Sequence, residues 1–301
     1  MEQAEAQESQ AIGPTQGNNP GAHPAPQPRA ASCPTCGGLP HGPPTFIYAI
    51  GNVEARFPNL AAEKEFAQIT GREKPEEMTK LPDQEVFHKV LSKRENRYLA
   101  RQLCWVMTIK GIETYILVPR DPGDLDLLIE AVRPAPSPMD MDIVIGVRGP
   151  VAPPELCNGL MVPIVAFDQI YSFDRDTLIK SIPKPEKAGK EFTAAAEGLL
   201  DRIMQMADNA GATDEHRALN YLAVRYHSIY AKVAECHAAN CSLTAVEVRQ
   251  SRLSGTRKIV DVIFAYTNRN SDVTEKSYVR VDVTEMFPFL ITKLSPYFDV
   301  S

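Results

Sequence analysis

KIVDVIFAYTNRNSDVTEKSYVRVDVT, residues 258–284, carries the clearest structural signal in the chain. Two runs rich in β-branched and aromatic residues, 258–267 and 276–284, flank the polar segment NRNSD (268–272). Such runs fit a pleated, half-buried surface, and the polar segment supplies turn residues. LTAVEV (243–248) precedes this pair and FPFLITKL (287–294) follows it. The spacing predicts a four-stranded antiparallel meander. SRLSGTRK (251–258) lies in its first turn, where Arg252, Arg257 and Lys258 either cradle an anion or protect a sheet edge.

Upstream the period changes from two to that of a helix. Phe192, Ala196, Leu199, Ile203 and Met206 form one apolar stripe. After the break DNAGATDE (208–215), Leu219, Leu222, Tyr226, Ile229 and Val233 form another. Thr213 is placed as an N-cap, with Asp214 and Glu215 at the positive end of the helix dipole. Further upstream, SIPKPEKAGK (181–190) reads as a connector between modules.

The N-terminal half mixes the two periods. TFIYAIG (45–51), MDIVIGVRG (141–149) and LMVPIVAF (160–167) read as strands, with Pro163 at an edge or a bulge. CWVMTIKGIETYILVP (104–119) reads as two strands around Lys110-Gly111, and DPGDLDLLIEAVRP (121–134) as a turn, a cap and a helix closed by Pro134. Residues 1–44 are rich in Pro, Gln, Ala and Gly and hold few large apolar residues, so a disordered arm is expected there. The expected organisation is therefore an arm (1–44), a mixed module (45–180), and a helix pair with an antiparallel sheet (190–301). The fold class is α+β.

Composition narrows the function. A net charge of −6 speaks against a nucleic-acid binder. Neither a membrane span nor a secretory signal is seen, and six cysteines in 301 residues are too sparse for a disulfide scaffold. A cytoplasmic protein with buried, inert thiols is the expectation. No G-x-S-x-G, H-E-x-x-H, G-x-G-x-x-G or P-loop occurs.

Two local patterns remain. Cys33 and Cys36 form a C-x-x-C before Gly37-Gly38, half of a tetrahedral zinc site. A structural zinc would be completed by Cys157, which precedes the turn pair Asn158-Gly159, and by Cys241, with Cys236 and His237 as alternatives. Ligands from a second subunit of a homodimer are another route, and the competing reading is a plain linker. Cys104, beside Trp105, is expected in the core. The second pattern is a polar helix face. Arg217, Asn220, Tyr221 and Arg225 recur at helical spacing, so a cationic, hydrogen-bonding stripe with one aromatic is expected on or near the surface. It suits a peptide or a carboxylate. The alternative is a solvated face.

Several segments, in order, resemble one family: YAIGNVEARFP (48–58), ENRYLARQLCWVMTIKGIETYIL (95–117), CNGLMVPIVAFDQIYSFDRDTLI (157–179), DRIMQMADNAGATDEHRALNYLAVRY (201–226) and VRVDVTEMFP (279–288). They are similar to the C-terminal region of PatG, the cyanobactin maturation protease, whose two adjacent modules would fall at about 45–180 and 190–297. DEHRALNY (214–221) and the meander are the most specific parts. The resemblance implies a non-catalytic accessory or scaffold protein, standing apart from the subtilisin-like portion, that recognises a peptide or a partner maturation enzyme. It transfers no catalytic residue. A zinc-dependent enzyme and a structural-zinc regulatory module are the alternatives.

Overall fold

In the computed structural model, which describes residues 44–72, 83–134, 140–174, 180, 190–204 and 209–298, TFIYAIG opens the 12-residue strand β1 (Thr45–Arg56). Helices α1 (Leu60–Arg72), α2 (Asp83–Leu91) and the single turn α3 (Arg97–Ala100) follow. Then come β2 (Cys104–Ile109) and β3 (Ile112–Pro119), joined at Lys110 and Gly111 with φ of 53° and 75°. That left-handed pair is the tight hairpin turn whose twist matches the flanking strands. The Asp121 side chain accepts from the Gly123 amide just ahead of α4 (Leu125–Ala131). β4 (Met141–Val151) and β5 (Pro163–Phe173) complete the half.

These strands close into a barrel in the order β1-β2-β3-β5-β4, antiparallel except for the parallel pair β3–β5. Pro163 is the first residue of β5, where the missing N–H costs no interior ladder bond, and the β4–β5 register shifts beside it. One face of the strands, including Ile47, Ala49, Met107 and Phe167, shares a core with Phe66, Phe87, Leu91 and Leu128 from the helices.

The C-terminal half contains α5 (Lys190–Met204), α6 (Asp214–Arg225), α7 (Ser228–Ala238) and the meander β6 (Cys241–Gln250), β7 (Ile259–Asn268), β8 (Thr274–Asp282), β9 (Phe289–Pro296). Thr213 caps α6 as expected, accepting from the His216 amide at 3.1 Å. The second predicted helix is interrupted. Tyr226 leaves helical geometry (φ −120°, ψ 82°), and its hydroxyl accepts from the Leu294 amide of β9 at 2.9 Å. A sheet contact thus ends α6, although the apolar stripe runs on to Ile229 and Val233. Of the expected connector 181–190, Lys190 already begins α5 and residues 181–189 lie outside the described residues, as do Met206 and the side chain of Phe192.

The halves share a core. Tyr48 and Ile50 of β1 and Ile143 and Ile145 of β4 point away from the barrel core and join Leu199, Leu219, Leu222, Val262, Phe264 and Val281. The explanation lies in the pairing of β1. Residues 45–51 pair with β4, and only 52–56 pair with β2, so the first half of β1 has one open edge. An open edge is costly when buried. It is closed by Gly211, whose carbonyl accepts from the Tyr48 amide at 2.9 Å, and by Asn220, whose Nδ2 donates to the Tyr48 carbonyl at 2.8 Å.

Candidate functional site

On the barrel face turned towards α6, two cross-strand rows stand side by side. Tyr48, Ile145 and Gln169 form one across β1, β4 and β5; Ile50, Ile143 and Tyr171 form the next. The Tyr48 and Tyr171 hydroxyls meet at 2.8 Å. From α6, Tyr221 sets its ring edge-on to Tyr48, with centroids 6.3 Å apart. One turn later Arg225 lays its guanidinium 4.8 Å from the centroid of the Tyr171 ring. Phe287 and Pro288, between β8 and β9, close a pocket of about 640 Å³ lined by Tyr48, Gln169, Tyr221 and Arg225.

The chemistry of this pocket is that of donors. No acidic residue lines it, in a chain of net charge −6. Burial, reinforced by the adjacent Tyr171 phenol, pushes the Tyr48 pKa well above that of a free phenol, so the group stays protonated at neutral pH. The protonated Tyr48 hydroxyl is a donor. Burial lowers the pKa of Arg225, but the two phenols more than offset this. The result is a fixed cation beside a neutral donor, suited to holding an anion and poor at removing a proton.

Of the four polar residues expected on one face of α6, Tyr221 and Arg225 reach this pocket. Arg217 and Asn220 do not lie on the surface: they are 2% and 1% exposed. The helical spacing holds, but the face it defines packs against β1 while the leucine stripe packs into the C-terminal core. Arg217 donates to the carbonyls of Val283 (2.8 Å), Glu285 and Met286 (3.3 Å), pairs with Asp214 at 3.3 Å, and lies over the Phe46 ring. Burial lowers its pKa, opposed by Asp214. It fixes the turn that carries Phe287. Asn220 forms a reciprocal amide pair with Asn209, at 2.8 and 3.1 Å. Ala218, Ala223 and Val224, apolar outside the main stripe, were the sequence sign that α6 is enclosed. Tyr48, Gln169, Tyr171 and Phe287 come from distant strands and turns, and sequence reasoning had no means of joining them.

The zinc expectation fares differently. Cys157 is joined to Cys104 by a disulfide with Cα atoms 5.5 Å apart, and both residues are buried. A disulfide sulfur is not the thiolate that zinc requires. The expectation of inert reduced thiols likewise fails for this pair. Cys241 starts β6, with its Sγ near the Asn268 amide and the Ala239 carbonyl. Cys236 is buried, which pushes its pKa up to about 11. Cys33 and Cys36 lie outside the described residues, among which no group of three or more His, Cys, Asp or Glu is placed to hold a metal. In the 251–258 turn, Arg257 pairs with Asp282 and Lys258 with Asp214, at 3.3 Å for the latter, so both cations already have partners.

Comparison with known proteins agrees with this architecture. Residues 186–297 match the family model described as PatG C-terminal. The chain resembles the PatG C-terminal region. A solved structure titled "PatG Domain of Unknown Function" superposes on it with a TM-score of 0.68 at 18% identity, covering 84% of this chain and 98% of that one. At that identity the PatG likeness is one of fold. It extends well beyond the matched segment and takes in most of the barrel. No curated protein matches the chain. Among the described residues, no helix is long and apolar enough to cross a membrane.

Proposed function

We propose that the protein is a non-catalytic accessory module of peptide maturation that binds a peptide through its free C-terminal carboxylate in the Arg225 pocket. The observation that carries this reading is the Arg225 guanidinium beside the Tyr48–Tyr171 hydroxyl pair, in a pocket without an acidic lining residue. The guanidinium supplies charge-assisted hydrogen bonds to the carboxylate. Phe287 and Pro288 offer apolar surface to the last side chain. The family resemblance supports an accessory role, and the protonated Tyr48 supports binding over proton transfer.

The test is calorimetric titration of N-acetyl-Ala-Ala-Leu-Phe, as free acid and as C-terminal amide, into wild type and Arg225→Ala. Arg225 is exposed, so the variant should keep the wild-type melting temperature. Losing a hydrogen bond to a charged group costs roughly 1.5–3 kcal/mol, about ten- to a hundred-fold in affinity. Amidation of the peptide should cost a similar factor in wild type and nothing further in the variant. Equal affinities for acid and amide would refute the reading.

A further inference from the structure

A second cavity, sharing no lining residue with the Arg225 pocket, lies on the barrel beside the disulfide. It measures about 520 Å³, within the range of roughly 300–1,000 Å³ usual for small-molecule sites. Ile116 of β3 and the disulfide-bonded Cys104 of β2, which share one buried cluster, form its floor, and Leu125 at the start of α4 forms one side.

The opposite wall is Leu156, a large apolar residue left 42% exposed in the β4–β5 connection. Two features fix this connection. The Cys104–Cys157 disulfide ties it to the first residue of β2. Asn158 and Gly159, both with positive φ (45° and 89°), turn the chain immediately afterwards, and the Gly159 amide donates to the Pro154 carbonyl at 2.7 Å. The exposed leucine is thus the side of a built cavity and not the tip of a loose loop.

Charge says what fits. Arg101 and Arg120 are among the lining residues, and no acidic residue is. Arg120 spends one nitrogen on Asp168, at 3.0 and 3.2 Å, while Arg101 makes no ion pair among the described residues. An apolar chamber with cations and no carboxylate complements a molecule with one apolar body and one anionic head.

We propose that this cavity is a binding site for a small amphipathic carboxylate, with the apolar body between Leu125 and Leu156 and the carboxylate on Arg101 and Arg120. This goes beyond the peptide reading and does not depend on it.

Decanoate, titrated calorimetrically below its critical micelle concentration into the oxidised full chain, tests the proposal. Decyltrimethylammonium serves as the charge-reversed control. Two variants at exposed positions are compared by the same titration, Arg101→Glu to invert the cation and Leu156→Trp to fill the chamber. One saturable decanoate site is expected. Each variant should weaken it at least about tenfold, and the cationic control should bind at least about tenfold more weakly. Arg225→Ala should leave decanoate binding unchanged, which separates this site from the peptide pocket. The absence of saturable binding, equal binding of the cationic amphiphile, wild-type affinity in either variant, or loss in Arg225→Ala would each overturn the proposal.

Discussion

Replacing Asn220 by alanine tests whether the two halves are held by the amide latch at the open edge of β1. Three hydrogen bonds would go: the one to the Tyr48 carbonyl and the reciprocal pair with Asn209. A net loss of about 1 kcal/mol per bond gives about 3 kcal/mol. The Tyr48 carbonyl, left without its side-chain donor, adds about 1 kcal/mol more, at the low end for a stranded acceptor. The expected total of roughly 3–5 kcal/mol is a large part of the 5–15 kcal/mol typical of a folded protein. It corresponds to a fall of roughly 6–20 °C in melting temperature, at about 2–4 °C per kcal/mol for a chain of 150–250 residues or somewhat longer. Urea unfolding should be followed by the fluorescence of Trp105, the single tryptophan, in the barrel core, and by far-ultraviolet circular dichroism. Both signals should move together to lower urea. A loss under about 1 kcal/mol, or a fluorescence midpoint that stays in place while the dichroism shifts, would refute the latch.

Gly211→Ala should destabilise the protein by at least about 2 kcal/mol, because an added Cβ would stand 2.3 Å from the Tyr48 carbonyl oxygen at a φ of 69°; a urea titration within 0.5 kcal/mol of wild type, by about the usual error of such curves, would count against the close approach. Asp142 has its pKa raised to about 6, first by burial and then by Asp140, against hydrogen bonds from Val53 and Ser172. Since the folded value lies above the unfolded one near 3.9, the folded state holds the extra proton, and stability falls as pH rises from about 4 through 6, by about 3 kcal/mol. Asp142→Asn should remove that slope from melting curves recorded across this range. Reducing Cys104–Cys157, which closes a loop of sequence separation 53, should cost about 4 kcal/mol in the chain-entropy account, and the denatured protein should show two more titratable thiols after reduction than before.

The parts of the fold that announced themselves were those set by local chemistry. The meander follows from β-branched runs around 268–272, the hairpin from Lys110-Gly111, and the start of α6 from Thr213. Barrel closure was not legible, because it depends on β3 pairing in parallel with β5 across an intervening strand, and period-two residues do not name their partners. The break at Tyr226 was hidden for a similar reason, since the amide that holds its hydroxyl belongs to Leu294. The polar face of α6 shows the same limit within the site. Its members could be counted from spacing, but Arg217 is held mainly by main-chain carbonyls of 283, 285 and 286, and a carbonyl leaves no trace in sequence. Arg225 looked no different from Arg217 until Tyr171 was placed beneath it.

The shared strand also separates two notions of a module. The segment that matches the PatG C-terminal family model, 186–297, is a unit of sequence similarity, but its core is completed by residues outside it. Excised at the 181–189 connector it would surrender Tyr48, Ile50, Ile143 and Ile145 and present their seats on α6 and its neighbours as a raw apolar wound. The barrel half would be left with the matching scar and an open β-edge, a template for aggregation. The two pieces would therefore be complementary fragments, each carrying half of one buried apolar surface.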